Sequence, residues 1–215
     1  MIKQIIFDFD GTLADSESVF YHVANDVCKK FDLPLFSVEQ YQHLASIPIK
    51  DAIKELGVKW YQIPQYWLEG CLSFMRHISS ISLFDGIAEL LNDLDEFGLG
   101  LSIISSNSKD NIHSLLEKND IDYFDSIISV QKLFKKHKFI KSFLKQHHLE
   151  PEEVLYVGDE VRDILACKKA RIKVIAASWG FDGLSHLIEE NPDYIVDSPY
   201  QIKDIVEDCL VDEYA

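Results

Sequence analysis

Two aspartates stand two residues apart in Phe7-Asp8-Phe9-Asp10-Gly11-Thr12-Leu13-Ala14, just past an apolar run from Ile2 to Phe7 broken by Lys3 and Gln4. The run reads as a strand buried on both faces. Carboxylates at i and i+2 on extended backbone point the same way. Gly11 lets the chain turn sharply and come close to a ligand. Two like charges held together are unfavourable without a cation between them, and a hard cation such as Mg²⁺ suits carboxylate oxygens. In open α/β sheets, ligand sites lie beyond the carboxyl ends of the strands, where this pair falls. An isolated Asp-x-Asp is more often a turn or cap feature, so the pair gains weight only from Gly11-Thr12-Leu13 and from motifs further along the chain.

The elements that must position the pair are legible as apolar periodicity. Buried strands are predicted at Gln4–Phe9, Leu99–Ser105, Ser126–Val130, Val154–Gly158, Lys173–Ala177 and Asp193–Val196. Helical patterns cover Ile87–Phe97, Lys109–Lys118, Phe139–His148, Val161–Ala170 and Leu184–Glu190. Asp85 and Ser108 are candidate N-caps for the first two. Strand alternating with helix means α/β: a doubly wound parallel sheet. Residues 15–82 break the rhythm with helical spacing only, in about four helices. Trp60, Tyr61, Tyr66 and Trp67 are expected in the core of that segment. So long a crossover is expected to be an inserted all-helical cap domain over the strand ends, with 1–14 and 83–215 forming the catalytic core.

The bulk numbers exclude some classes. The chain has 21 basic and 36 acidic residues, a formal charge of −15. That argues against nucleic-acid partners and anionic membrane surfaces, which need basic patches. It also obliges a site for an anionic substrate to make its own positive field. No apolar run is long enough to span a bilayer. The first residues lack a secretion-signal pattern, and Cys28, Cys71, Cys167 and Cys209 form no Cys-x-x-Cys pair. Reduced thiols and a cytoplasmic location are expected.

Read together, the motifs resemble the haloacid dehalogenase-like hydrolases, in the phosphoglycolate phosphatase-like branch with a helical cap. Asp8-Phe9-Asp10-Gly11-Thr12-Leu13 is similar to the first family signature. Ser105, closing Leu101-Ser102-Ile103-Ile104, matches the second. Gly158-Asp159-Glu160-Val161-Arg162-Asp163 matches the fourth. The third is a lysine. Phe134-Lys135-Lys136-His137-Lys138 offers three, of which Lys136 aligns best by spacing, although the Lys-Pro pair common in the family is absent.

The resemblance implies a phosphatase with Asp8 as nucleophile and Asp10 as general acid and base, acting through an aspartyl-phosphate. It implies Mg²⁺ held by Asp8, the backbone carbonyl of Asp10 and Asp159, with Asp163 one helical turn on as an orienting carboxylate. Ser105, Ser106 and Lys136 would bind the phosphate oxygens, Lys136 as a point charge. The expected partner is a small phosphorylated metabolite, and the expected state a monomer or small homo-oligomer. Specificity is expected in the helical insert, where Lys50 and Arg76 are candidate contacts. Three alternatives stay open: a sugar phosphomutase, a 2-haloacid dehalogenase and a non-enzymatic binding protein. Asp10 weighs against the dehalogenase, because a halide leaves without a proton and an alkoxide does not.

Overall fold

The short apolar runs become strands because alternate residues find cover on both faces of a sheet. The computed structural model describes residues 1–47, 49–130 and 135–211. Its strands are β1 Gln4–Phe7, β2 Ala14–Asp15, β3 Ser82–Leu83, β4 Gly100–Ser105, β5 Phe124–Ser129, β6 Val154–Gly158, β7 Lys173–Ala177 and β8 Tyr194–Val196. Its helices are α1 Glu17–Lys30, α2 Val38–Ser46, α3 Ile49–Glu55, α4 Ile63–His77, α5 Ile87–Glu96, α6 Lys109–Lys118, α7 Lys136–His147, α8 Val161–Ala170, α9 Leu184–Glu189 and α10 Pro199–Val211. The chain divides into two compact units, Met1–Asp15 with Ser82–Ala215, and Ser16–Ile81.

The first unit holds a six-stranded sheet in the order β5-β4-β1-β6-β7-β8, with every neighbouring pair parallel. The chain winds from β1 out to β5, returns to β6 and winds out the other way. The order therefore reverses beside β1, the place where doubly wound sheets open a crevice. Register aligns Phe7 with Ile103 on one side and with Val157 on the other. Asp8, Ser105 and Asp159 thus emerge at one end of three adjacent strands. Below them, Ile6, Ile104, Tyr156 and Val174 join Ile140 and Phe143 of α7 and Ile164 and Cys167 of α8 in one buried cluster. A separate antiparallel ribbon pairs β2 with β3.

Several boundaries differ from the apolar pattern for local reasons. The N-cap of α5 is Gly86, not Asp85, because Gly86 turns into the helix at φ +85°, a left-handed value that suits glycine. Ser108 does cap α6, its hydroxyl accepting from the Asn111 N–H at 3.2 Å. α7 begins at Lys136, three residues before its apolar pattern. α10 has no counterpart among the predicted helices and buries Ile202 and Val206. Phe134 lies outside the described residues.

The second unit is all helical. α1 and α4 pack across Gly70, where an added Cβ would only just touch Val23 and Val27. The aromatic expectation fails for three of the four: Trp60, Tyr61 and Trp67 are exposed, whereas Tyr66 packs against Phe31 with ring centroids 4.6 Å apart. α4 instead turns Gly70, Ser73 and Phe74 inward. Spacing marks an apolar face but does not say whether a neighbour covers it.

Candidate active site

β1 ends at Phe7, yet the Asp8 N–H still donates to the Val157 carbonyl at 2.8 Å, so Asp8 is fixed as firmly as a strand residue. The loop then closes on itself. Leu13 and Ala14 N–H groups both donate to the Phe9 carbonyl at 2.9 Å, and Gly11 takes φ +77°. A Cβ on Gly11 would overlap Asp159, so only glycine lets this loop approach β6 so closely.

Most of the predicted residues gather around Asp8. Asp8 is buried, and its Oδ1 accepts from the Phe9 N–H at 2.8 Å. Lys136 Nζ donates to Asp8 Oδ2 at 2.7 Å and to Asp163 Oδ1 at 2.6 Å. Of the three candidate lysines Lys136 alone is buried, while Lys135 and Lys138 are exposed. The first position of α7 aims it inward, over the Tyr156 ring. Tyr156 supports Asp163 from below, its hydroxyl 3.4 Å from Asp163 Oδ1. Ser105 is buried, its Oγ accepting from the Asn107 N–H at 3.2 Å. Ser106 is half-buried beside it. Asp159 is fully buried, its Oδ1 accepting from the Thr12 hydroxyl at 2.6 Å and its Oδ2 from the Phe181 N–H at 2.8 Å.

The structure adds groups that spacing did not single out. Asn107 donates to both oxygens of Asp10, at 3.1 and 2.9 Å. Glu160 joins Asp8 and Asp163, each offering a carboxylate oxygen within 4.8 Å of the others. Arg162 forms an ion pair with Glu160. The loop after β7 closes over Asp159, with Trp179 Nε1 donating to the Thr12 carbonyl at 3.2 Å. Glu160 and Arg162 lie inside the Gly-Asp-x-x-x-Asp motif, where the pattern treats them as spacers. Asn107 carries no signal beyond its nearness to Ser105. Of the insert candidates, Arg76 pairs with Glu69 at 3.0 Å and Lys50 is exposed.

The electrostatics follow from this packing. Burial opposes ionisation of Asp8, yet Lys136 and Arg162 together with the Phe9 N–H hold its carboxyl below the usual range. Burial also works against the Lys136 charge, but Asp163 and Asp8 outweigh it and raise the ammonium above its ordinary value. Asp159 is pushed the other way, well above the usual range, by burial and then by Glu160, Asp8 and Asp163. Burial lifts Glu160 to about 8 against the pull of Arg162. Four carboxylates, Asp8, Asp159, Glu160 and Asp163, thus crowd around two cations. The all-oxygen donor set, crowded enough to oppose its own ionisation, fits a divalent hard cation such as Mg²⁺. Lys136 and Arg162 partly offset the acidic cluster, Lys136 against Asp8 and Asp163 and Arg162 against Glu160.

Comparisons with known proteins agree with this geometry. The family model for haloacid dehalogenase-like hydrolases matches residues 5–177. A phosphoglycolate phosphatase of Synechococcus elongatus is 29% identical over 205 residues, covering 92% of this chain and 94% of its own. A pyrophosphatase PpaX of Oceanobacillus iheyensis is 26% identical over 210 residues, covering 95% of each chain. Among solved structures, a haloacid dehalogenase-like family hydrolase of Streptococcus pneumoniae superimposes with a TM-score of 0.84 at 24% identity, over 95% of this chain and 98% of that one. Among the described residues no helix is long and apolar enough to cross a membrane. With the family model spanning five of the six sheet strands, the insert and the strand-end acids, the chain belongs to the haloacid dehalogenase-like hydrolases.

Proposed function

We propose that this enzyme is a Mg²⁺-dependent phosphomonoesterase that hydrolyses a small phosphorylated metabolite through an aspartyl-phosphate on Asp8. One observation carries the reading: Asp8 is buried and held by Lys136 at the switch point of the sheet, with a second carboxylate, Asp10, two residues on. An ionised carboxylate is a competent nucleophile toward phosphorus. Asp8 Oδ forms the new P–O bond while the ester P–O bond breaks, and Asp10 gives its proton to the departing oxygen. Water then attacks phosphorus as the Asp8 bond breaks, and its proton goes to Asp10. Lys136, Ser105 and Ser106 bind the non-bridging oxygens, with backbone N–H groups adding donors. Asp8, the Asp10 carbonyl and Asp159 would hold the metal, with Glu160 and Asp163 beside them. When bound, it neutralises charge between nucleophile and phosphate.

Asp10 favours this reading over the dehalogenase, whose halide needs no proton. The mutase alternative differs only in the acceptor, a sugar in place of water. Substrate choice is assigned to the inserted segment, residues 15–82, which the chain places between the two halves of the site-bearing unit. The relatives' names make phosphoglycolate and pyrophosphate the first substrates to try.

The test is phosphate release from a panel of phosphorylated metabolites, with p-nitrophenyl phosphate as a general probe. Asp8→Asn is expected to abolish turnover, and chelation to remove activity that Mg²⁺ restores. Normal turnover by Asp8→Asn, or full activity after exhaustive chelation, refutes the reading. Phosphate appearing on an added sugar instead of in solution marks a mutase.

A further inference from the structure

Asn107 takes no part in the phosphoryl transfer just described, yet the structure fixes it more closely than a loop residue needs. It sits in the turn between β4 and α6. Its Oδ1 accepts from the Ser108 N–H at 2.8 Å and from Asn111 Nδ2 at 2.8 Å. A backbone N–H can only donate, so this side of the amide must be the oxygen. The amide nitrogen is thereby turned the other way, onto Asp10, and reaches both carboxylate oxygens. The main chain is anchored as well. The Asn107 N–H donates to Ser105 Oγ, and its carbonyl accepts from Ser129 Oγ at 2.7 Å. Ser105 and Ser129 are paired across β4 and β5, so the anchor is the sheet itself.

We infer that Asn107 is a positioning residue for Asp10, and that Asn111 keeps its amide in the donating sense. The inference rests on the phosphatase reading. In that chemistry one carboxyl group acts twice. It loses a proton to the leaving oxygen as the first P–O bond breaks, and regains one from water as the Asp8–phosphorus bond breaks. An aspartate carboxylate turns easily about its last torsion, whose energy profile is broad. Asp10 lies beyond the end of β1, on a loop turned by Gly11 and bridged to Ala14. An amide nitrogen facing both oxygens fixes the plane of the carboxylate in both steps, and a residue anchored to two strands supplies the rigidity.

A leaving-group series separates this from a merely structural role. kcat/KM is measured for an alkyl phosphate, phenyl phosphate and p-nitrophenyl phosphate with wild type, Asn107→Ala and Asn111→Ala. p-Nitrophenolate leaves without a proton, whereas an alkoxide depends on Asp10. General acid help of this kind is worth about 10²–10⁴-fold, and a misplaced acid forfeits part of it. Asn107→Ala is therefore expected to lose about tenfold or more with the alkyl ester and less than about threefold with p-nitrophenyl phosphate. KM should change little. Asn111→Ala should tilt the series the same way by a smaller amount; Asn111 is half-buried on the first turn of α6, so this variant serves if Asn107→Ala fails to fold. Losses equal across the series, or no loss, overturn the inference while leaving the phosphatase reading intact. Wild type inactive on every phosphomonoester brings down both.

Discussion

Lys136 is the residue whose removal should have the largest effect that the structure allows to be worked out. Its side chain is 6% exposed, against 2% for Asp8 and 0% for Asp163. Lys136→Met keeps the length of the side chain and removes the charge, leaving two carboxylates buried without their cation. Breaking a buried pair in this way destabilises by about 3–5 kcal/mol. For a chain of this size about 1 kcal/mol corresponds to about 2–4 °C, so the melting temperature of the metal-free protein should fall by about 6–20 °C. Lys135→Ala and Lys138→Ala, both exposed, should stay within about 0.5 kcal/mol of wild type.

The pH dependence has a definite sign. The Lys136 ammonium is raised in the folded state, so its contribution is complete below about pH 10.4 and fades above. Asp8 is lowered, so its contribution is present above about pH 3.9 and fades as pH falls further. Adding Asp163→Asn to Lys136→Met should recover part of the stability, since only one stranded carboxylate remains; such non-additivity is the mark of direct contact. Activity should fall about 10²–10³-fold, as when one oxyanion donor is lost. Thermal melts across pH, with p-nitrophenyl phosphate kinetics, check all of this. A Lys136→Met variant as stable as wild type, or Lys135→Ala costing more, refutes the assignment.

Other expectations rest on single contacts. A Cβ at Gly180 would overlap Asp159, whereas one at Gly183 would meet nothing within 4 Å. Gly180→Ala should cost about 1–3 kcal/mol and raise the Mg²⁺ concentration needed for activity. Gly183→Ala should leave the Mg²⁺ titration unchanged, and equal responses in the two variants would refute the close packing at Asp159. In the helical unit, Asp26 accepts from Ser73 Oγ at 2.7 Å and pairs with His77 Nε2 at 3.0 Å. These bonds, the one from Ser73 first, lower its carboxyl from 3.8 to about 2. A lowered folded value stabilises above the unfolded pKa, so this contribution should vanish as pH falls from about 4 to about 2. A carbon-13 titration of Asp26 with its midpoint at or above 3.8 contradicts the contact. Asp26→Asn should cost about 1–2 kcal/mol at neutral pH by thermal melt.

The sequence by itself determined the frame and the chemistry-bearing ends of it. Val154–Gly158, Lys173–Ala177, Lys109–Lys118 and Val161–Ala170 are readable to the residue, because a strand covered on both faces and a helix covered on one leave different periods. Order along the chain puts Asp8, Ser105 and Asp159 at neighbouring strand ends, since a doubly wound sheet has few ways to be wound. Tertiary structure decided what spacing cannot carry. Three lysines within four residues look alike until α7 turns one of them under the sheet end. Glu160 and Arg162 are spacers until α8 brings them beside Asp8, and Asn107 is a loop residue until a contact across 97 positions gives it Asp10. Trp60 and Trp67 show the converse: apolar character is local, but burial depends on a partner surface, which the residues themselves do not encode.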